Sequence, residues 1–223
     1  MRIVYFDTET TGVDFESDRI IELALVVVDD GKVVLKYDKF VNIGESLPSE
    51  IVELTGITDE MLVRDGVSDG VVARDLWGVI SGRRDTLMVA HNCQFDLCFI
   101  YALLCKFYSV GRVDALFGRL SWLDSLTVFK DRKKYPHKLV DLVDYYDLGE
   151  FTFHRAIDDT LVLPLALASM NRERGDVLKY VNVFGYNRKY GVSGKRFDFI
   201  SYIPQDFHFG IVKSSDILPL TKR

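Results

Sequence analysis

The order of apolar and polar positions divides the chain into strand-like and helix-like segments. Residues 2–6, 19–28 and 32–41 have the pattern of strands, and Asp29-Asp30-Gly31 supplies a hairpin turn between the last two. We therefore expect three early strands that form a meander. A short helix is expected to start at Pro48, and Thr58 can cap the next helical turn.

After the meander, helical and strand patterns alternate. The predicted elements are a helix over 71–80, a strand over 86–90, an amphipathic helix from Phe95, a strand over 120–123, and helices over 139–146 and 156–170. The order β-β-β-α-β-α-β-α-α predicts an α/β fold, a mixed β-sheet flanked by helices.

The pattern changes again near residue 174, where two strand-like runs, 177–184 and 196–203, contain many aromatic residues. We predict a main domain over 1–172 and a basic, aromatic-rich, β-rich C-terminal extension over 173–223. The first 170 residues carry 18 basic and 28 acidic side chains, whereas the remainder carries 10 and 5. The basic end suggests a polyanionic partner, but an ordinary solvated surface would look the same. Its aromatics either pack against their own domain or form a stacking surface for single strands.

Composition narrows the class of protein. With 223 residues, 48% of them hydrophobic, the chain should form a globular fold. Its longest apolar stretch, 20–28, is interrupted by Glu22 and is too short to span a membrane. We see no secretory signal, and the three cysteines lack Cys-x-x-Cys spacing. These observations favour free thiols, a cytoplasmic location and no membrane partner.

Candidate chemistry begins with Asp7 and Glu9, which follow the first predicted strand. Side chains two residues apart in a strand share a face, so both acids can reach one cation. Taken alone, they could equally be solvated loop residues. Asp96 opens a helix after a strand of the same sheet, although an acid there can serve only to complement the helix dipole.

A fourth acid comes from the segment of residues 153–160, which offers both Asp158 and Asp159. If His154 is already helical, Asp158 at i+4 shares its face and spacing favours Asp158. If His154 precedes the helix, Asp159 becomes available instead. Pro164 lies within the predicted helix and should kink it, which could move Asp159.

Three motifs resemble the DnaQ-like (DEDDh) 3′-5′ exonuclease family, in particular the group of the epsilon proofreading subunit of DNA polymerase III. They are Phe6-Asp7-Thr8-Glu9-Thr10-Thr11-Gly12, His91-Asn92-x-x-Phe95-Asp96 and His154-x-Ala156-x-x-Asp159. The resemblance covers about residues 1–170 and implies a ribonuclease H-like fold. It also selects Asp159 as the fourth acid and places His154 before the helix.

The resemblance implies a site and a chemistry. Asp7, Glu9, Asp96 and Asp159 are expected to be catalytic ligands of two divalent cations, Mg²⁺ or Mn²⁺, which suit oxygen-only donors. His154 is the expected general base. The expected contacts to the substrate are Thr8, Thr10, Thr11, Asn92 and Phe95. The basic residues between 130 and 138 could follow a phosphate backbone, or could be a solvated loop.

The leading hypothesis is therefore a metal-dependent enzyme that hydrolyses phosphodiester bonds at DNA 3′ ends and releases nucleoside monophosphates, with a role in replication or repair. Its partner would be a nucleic acid 3′ end, preferably single-stranded DNA. One alternative is an exoribonuclease acting on RNA 3′ ends or short oligoribonucleotides. Another is a non-catalytic module that binds nucleic acid or a polymerase. A polymerase or a second copy of the chain is a further expected partner.

Overall fold

A five-stranded mixed sheet lies at the centre of the computed structural model, which describes residues 1–83, 85–151 and 155–205. Its strands are β1 (Arg2–Thr10), β2 (Ile20–Asp29), β3 (Lys32–Phe40), β4 (Thr86–Ala90) and β5 (Ser121–Asp124). Their spatial order is β3-β2-β1-β4-β5. The first three strands pair antiparallel, and β4 and β5 run parallel to β1. The predicted meander and mixed sheet are confirmed.

Helices cover both faces of this sheet. They are α1 (Ser49–Thr55), α2 (Asp59–Asp65), α3 (Asp69–Ser81), α4 (Cys93–Phe107), α5 (Val110–Phe117), α6 (Ser125–Lys130), α7 (Leu139–Tyr146) and α8 (Ala156–Arg174). Among the described residues, none of these helices combines the length and the apolar character needed to cross a membrane.

Alternating residues of β1 enter two different cores. Val4 and Phe6 pack with α3, α4 and α5 on one face, whereas Tyr5 packs with α6, α7 and α8 on the other. This alternation follows from the period of two in a strand. It places Asp7 and Glu9 on the face covered by α8, and Thr8 on the face covered by α4.

The first strand is longer than its apolar run predicted. It continues to Thr10 because the backbone of Asp7 and Glu9 stays in register with Ala24 and Glu22 of β2. Asp7 and Glu9 therefore lie within the last four residues of β1 rather than beyond the strand. Helices α5 and α6 were not predicted as elements, because each is too short for a clear apolar period.

Two local predictions are confirmed. Thr58 caps α2 by accepting a hydrogen bond from the backbone of Met61. The three cysteines, all within α4, are free thiols.

The described part of the C-terminal extension contains a 3-10 helix (Val177–Tyr180) followed by strands β6 (Val183–Tyr186) and β7 (Ser201–Pro204). The strands form a separate two-stranded parallel sheet. Both predicted strands were wrong at their starts. The run over 177–184 opens with the 3-10 helix, because the chain turns after Gly175 ends α8 in the left-handed conformation, and the run over 196–203 becomes a strand only at Ser201. Residues 206–223 of the predicted extension lie outside the described residues.

The extension packs into both cores of the main sheet. Phe184, Phe197 and Ile200 join the core beneath α4, whereas Val177 and Tyr180 join the core beneath α8. Most aromatic residues in the described part of the extension therefore pack against the protein. This agrees with the interpretation in which they stabilise their own domain. Tyr190, by contrast, is 72% exposed.

Removing a buried extension side chain should destabilise the whole fold. Phe184 is 1% exposed within the core beneath α4, so we expect Phe184→Ala to lower the free energy of unfolding by about 3–5 kcal/mol. Tyr190→Ala, at an exposed position in the same segment, should change it by less than about 0.5 kcal/mol. Urea denaturation followed by circular dichroism would measure both. Equal, small changes would contradict a shared core.

Candidate active site

Three carboxylates meet where β1 ends beside the start of α8. Asp7 and Glu9 project from β1, and Asp159 projects from the first turn of α8. One carboxylate oxygen from each lies within 4.8 Å of the corresponding oxygens of the other two. All three residues are partly buried. The structure thus brings together three of the four predicted ligands around one point.

Asp159, rather than Asp158, belongs to this cluster. Helix α8 begins at Ala156, and Arg155 occupies the N-cap position with an extended backbone. The i+4 argument, which favoured Asp158, required a helix that already included residue 154. Pro164 lies inside the 19-residue helix, yet Asp159 still reaches the other two acids. The predicted general base, His154, lies outside the described residues.

Asp96, the fourth predicted ligand, approaches from the other face of β1. Its Oδ1 accepts two hydrogen bonds from Thr8, one from the backbone N–H at 2.9 Å and one from the hydroxyl at 2.7 Å. Asp96 is 2% exposed and is not one of the three acids that converge within 4.8 Å. The two hydrogen bonds from Thr8 therefore hold Asp96 against β1, at the position between Asp7 and Glu9.

The turn before α4 is held by Asp124 rather than by its own cap residue. Asn92 adopts the left-handed conformation, with φ 64°, and its side chain makes no capping hydrogen bond. Instead, Oδ1 of Asp124 accepts from the backbone N–H groups of Asn92 and Cys93 and also of Leu126. Asp124, at the end of β5, therefore satisfies the N–H groups that a capping side chain would otherwise satisfy.

Glu22 is a site residue that the sequence prediction missed. It lies on β2 opposite Glu9, with 0% exposure. Its Oε1 accepts from Arg155 Nε and Nη2 at 3.0 and 2.8 Å, and its Oε2 accepts from the backbone N–H of Ala156 at 3.0 Å. An acid in the middle of an apolar strand was the available signal, because a buried charge needs a partner.

Burial raises the pKa of the clustered acids. The pKa of Asp7 lies well above its ordinary value, that of Glu9 rises to about 8, and that of Asp96 rises to about 7. Repulsion by Asp96 and Asp159 adds to the effect of burial at Asp7, and repulsion by Asp159 adds to it at Glu9. At Asp96 the hydrogen bonds from Thr8 oppose burial. Without a counter-ion, the cluster holds protons that free carboxylates would have lost.

This donor set fits divalent cations. It consists of carboxylate oxygens, which hard cations such as Mg²⁺ and Mn²⁺ prefer. A cation bound among Asp7, Glu9 and Asp159 would relieve the repulsion that adds to the raised pKa of Asp7 and Glu9. Asp96 adds a fourth carboxylate on the adjacent face.

The hydroxyls of the three predicted substrate-binding threonines all donate hydrogen bonds within the protein. Thr8 donates to Asp96, Thr10 to the carbonyl of Gly12, and Thr11 to Asp18. The bonds of Thr10 and Thr11 shape the loop between β1 and β2, whereas that of Thr8 joins β1 to α4. Contacts of the threonines with substrate remain predictions, as do those of the other two expected residues, exposed Asn92 and partly buried Phe95.

The basic cluster between residues 130 and 138 divides into buried and exposed members. Lys130 is 3% exposed, and the side chain of Arg132 is fully buried, where it contacts Asp131 and Asp176. These two cannot follow a phosphate backbone along the surface. Three exposed lysines remain from the predicted cluster: Lys133, Lys134 and Lys138.

Comparisons with known proteins agree with this geometry. A family model described as exonuclease, RNase_T, matches residues 4–165. The DNA polymerase III PolC-type of Bacillus subtilis is 35% identical over 177 residues, which cover 78% of this chain and 12% of that protein. The PolC-type polymerase of Staphylococcus haemolyticus is 36% identical over 158 residues, 70% of this chain and 10% of that protein. The chain thus spans about a tenth of the length of these relatives.

Similar solved structures include a zinc-bound complex of E. coli exonuclease I with single-stranded DNA. Its TM-score is 0.72 at 17% identity, and the match covers 80% of this chain and 42% of that one. A complex of exonuclease I with SSB-Ct gives a TM-score of 0.69 at 16% identity, covering 80% and 43%. At these identities the likeness establishes the fold, and it confirms the predicted ribonuclease H-like sheet.

The raised pKa values predict that stability depends on pH and metal. A carboxyl whose pKa is higher in the folded than in the unfolded state favours folding at low pH and loses that contribution as pH rises through the folded value. For Glu9 the window runs from about 4.5 to about 8. In EDTA, we therefore expect the free energy of unfolding to fall across this window, and excess Mg²⁺ or Mn²⁺ to reduce the fall.

Denaturant titrations at several pH values would measure this effect. The matched control is Asp7→Asn, which removes one of the repelling charges; it should flatten the pH dependence in EDTA and weaken the effect of metal. A pH profile identical for both proteins, with and without metal, would contradict electrostatic strain among these acids.

Glu22 should govern metal affinity without being a ligand, because it anchors the start of α8. We expect Glu22→Gln to weaken Mn²⁺ binding by about 10–100-fold, as loss of a residue that orients a metal ligand does. Isothermal titration calorimetry would measure this, with circular dichroism to verify folding. Asp38→Asn is the control, since Asp38 lies 3.9 Å from the Arg155 guanidinium but does not hold the helix start. Equal affinities in wild type and Glu22→Gln would contradict the role.

Proposed function

The chain belongs to the exonuclease (RNase_T) family, of the DnaQ-like type. We propose that it is a metal-dependent 3′-to-5′ exonuclease. Its reaction would hydrolyse the terminal phosphodiester bond at a DNA 3′ end and release a nucleoside monophosphate. The observation that carries the proposal is the convergence of Asp7, Glu9 and Asp159 within 4.8 Å, with Asp96 fastened to the intervening Thr8.

The carboxylates of Asp7, Glu9, Asp96 and Asp159 would hold two divalent cations, Mg²⁺ or Mn²⁺. When bound, such cations neutralise the charge that develops on the phosphate and make the attacking water more acidic. Glu22 fixes the first turn of α8, and through it Asp159. Thr8 fixes Asp96. Contacts within the protein thus position Asp96 and the helix that carries Asp159 before substrate arrives.

His154 is the proposed general base, because the family motif places it five residues before Asp159. Imidazole titrates near neutral pH, so it can take a proton from the attacking water and return it to solvent. The next residue, Arg155, is held by Glu22 on β2. The segment that carries His154 therefore leads directly into the anchored start of α8.

DNA is the proposed substrate because the relatives are DNA polymerases of the PolC type. A single-stranded 3′ end is proposed because the structurally similar exonuclease I forms a complex with single-stranded DNA. The exoribonuclease alternative requires the same acids, so substrate assays must separate the two. We also propose that residues 1–172 form the catalytic domain and 173–223 an extension of it, that the protein acts in the cytoplasm, and that a polymerase is its partner in any proofreading role.

The proposed roles predict a sharp contrast between two adjacent acids. Asp159→Asn should lower the rate of Mg²⁺-dependent degradation of single-stranded DNA by about a hundredfold or more, because a ligand is lost. Asp158→Asn is the matched control and should retain activity near the wild-type level, since Asp158 lies outside the cluster. The measurement is a time course on 5′-labelled and 3′-labelled DNA and RNA of the same sequence.

For 3′-to-5′ action on DNA, the 3′ label should be released first as a mononucleotide, and the 5′-labelled strand should shorten progressively. EDTA should stop both reactions. Equal activity of the Asp158 and Asp159 variants would refute the ligand assignment. Release of the 5′ label first would refute the polarity, and degradation of RNA alone would favour the exoribonuclease.

A further inference from the structure

A cavity of about 180 Å³ lies between the main domain and the C-terminal extension. One wall comes from the start of α4 and from α6, and the other comes from β6 and the turn that follows it. The lining includes Asn92 on the first wall and Phe184 and Tyr190 on the second. This volume is far above the ~10–15 Å³ that a cavity needs to hold one water, so there is room for a group larger than water.

The cavity opens at the same edge of the sheet as the clustered acids. Its wall residue Asn92 lies just before α4, four residues ahead of Asp96, and α6 begins directly after β5. Strands β1, β4 and β5 run parallel, so their carboxyl ends share one edge, where open sheets bind ligands. A nucleic acid strand whose 3′ end reaches the acids therefore passes this edge.

The chemistry of the walls suits an unpaired base. Tyr190 is 72% exposed, unlike the buried Phe184 of the same segment, and the Nζ of Lys189 lies 5.0 Å from the centroid of its ring. Lys189 lies over one face of the ring, so the opposite face is the one available to a stacked base. Aromatic faces combined with nearby cations are typical of single-strand binding surfaces. The exposed amide of Asn92 can hydrogen-bond to a base edge.

The extension wall is fixed before any ligand binds. The Nε2 of Gln94 on α4 donates to the carbonyls of Ser193 and Lys195 at 2.8 and 2.7 Å. The Oε1 of Gln94 accepts from the hydroxyl of Tyr202 at 2.8 Å. A tight turn presents Tyr190, closed by the hydrogen bond from Gly191 N–H to the carbonyl of residue 187 at 2.8 Å. A preformed wall spares the ordering cost of binding.

We propose that this cavity is a subsite for an unpaired nucleobase of the substrate strand, upstream of the 3′-terminal nucleotide, with Tyr190 as the stacking face. The inference rests on the proposed function, because that function supplies the strand and its direction. It adds a role for the extension: the extension binds the part of the strand that the acids do not contact. The recognised group is a base, which single-stranded DNA and RNA share.

The test measures binding in EDTA, where no strand is cut. Fluorescence anisotropy of labelled single-stranded DNA, and of RNA of the same sequence, would compare wild type with Tyr190→Ala and Tyr190→Phe. We expect Tyr190→Ala to weaken binding by about 5- to 150-fold, as the loss of one stacked base does. Tyr190→Phe keeps the ring and should stay within about twofold of wild type. Leu178→Ala, which truncates a 61%-exposed side chain elsewhere in the extension, is the matched control.

The position of the base can be mapped with 2-aminopurine placed at successive nucleotides from the 3′ end. In wild type, fluorescence should be quenched at one interior position, and Tyr190→Ala should abolish that quenching. If only DNA or only RNA shows the Tyr190 effect, that polymer is the one the subsite takes. Equal affinity and equal quenching in wild type and Tyr190→Ala, for both polymers, would overturn the subsite.

Hydrolysis by the wild-type protein separates this result from a failure of the proposed function. The p-nitrophenyl ester of thymidine 5′-monophosphate is a one-nucleotide substrate that tests the acids alone. Wild type that cleaves neither this ester nor an oligonucleotide with Mg²⁺ or Mn²⁺ overturns the proposed function, and the subsite with it. Wild type that cleaves both, while Tyr190→Ala has the wild-type affinity and KM for oligonucleotides, overturns the subsite alone.

Discussion

The buried carboxylate of Glu22 is the interaction on which the arrangement of the site depends. It holds the Arg155 guanidinium and the first backbone N–H of α8 against β2. The start of a helix carries partial positive charge, so an acid is stabilising there. The Glu22 carboxylate is fully buried, so loss of Arg155 would leave a buried charge without its partner and destabilise the fold. The position of α8, and therefore of Asp159, thus depends on charge as well as on packing.

The Glu22–Arg155 pair has two opposite effects on the clustered acids. Glu22 adds to the repulsion at Asp7 and Glu9, whereas Arg155 lowers the pKa of Glu9. An anchored cation next to the cluster therefore offsets part of the cost of assembling it. On the opposite face, Thr8 stabilises Asp96 through two hydrogen bonds. The alternation of β1 keeps these two supports apart, so that each acts on a different acid.

Sequence patterns predicted the features that depend on local order. Apolar spacing and turn residues predict the early meander, the strands that contain Asp7 or precede Asp96, and a helix over about 156–170. They do not fix the first residue of that helix. The patterns could not choose between Asp158 and Asp159, since that choice depends on where α8 begins, and Glu22 fixes the start from β2. The partner lies 133 positions away along the chain. The same limit applies to Asp124, which replaces Asn92 as the cap of α4 from a different strand.

The uneven distribution of charge along the chain bears on the proposed binding of a nucleic acid strand. A net charge of −5 disfavours a polyanion at long range, but salt confines such effects to about 8–10 Å, so the local charges decide. Near the acids, bound cations would remove the repulsion of the strand's terminal phosphate. Farther along the same edge, the exposed Arg188 and Lys189 lie beside Tyr190. In the proposed binding mode, the acidic cluster and the basic turn would contact successive parts of one strand. That arrangement requires the extension to be held against α4, and the hydrogen bonds of Gln94 hold it there.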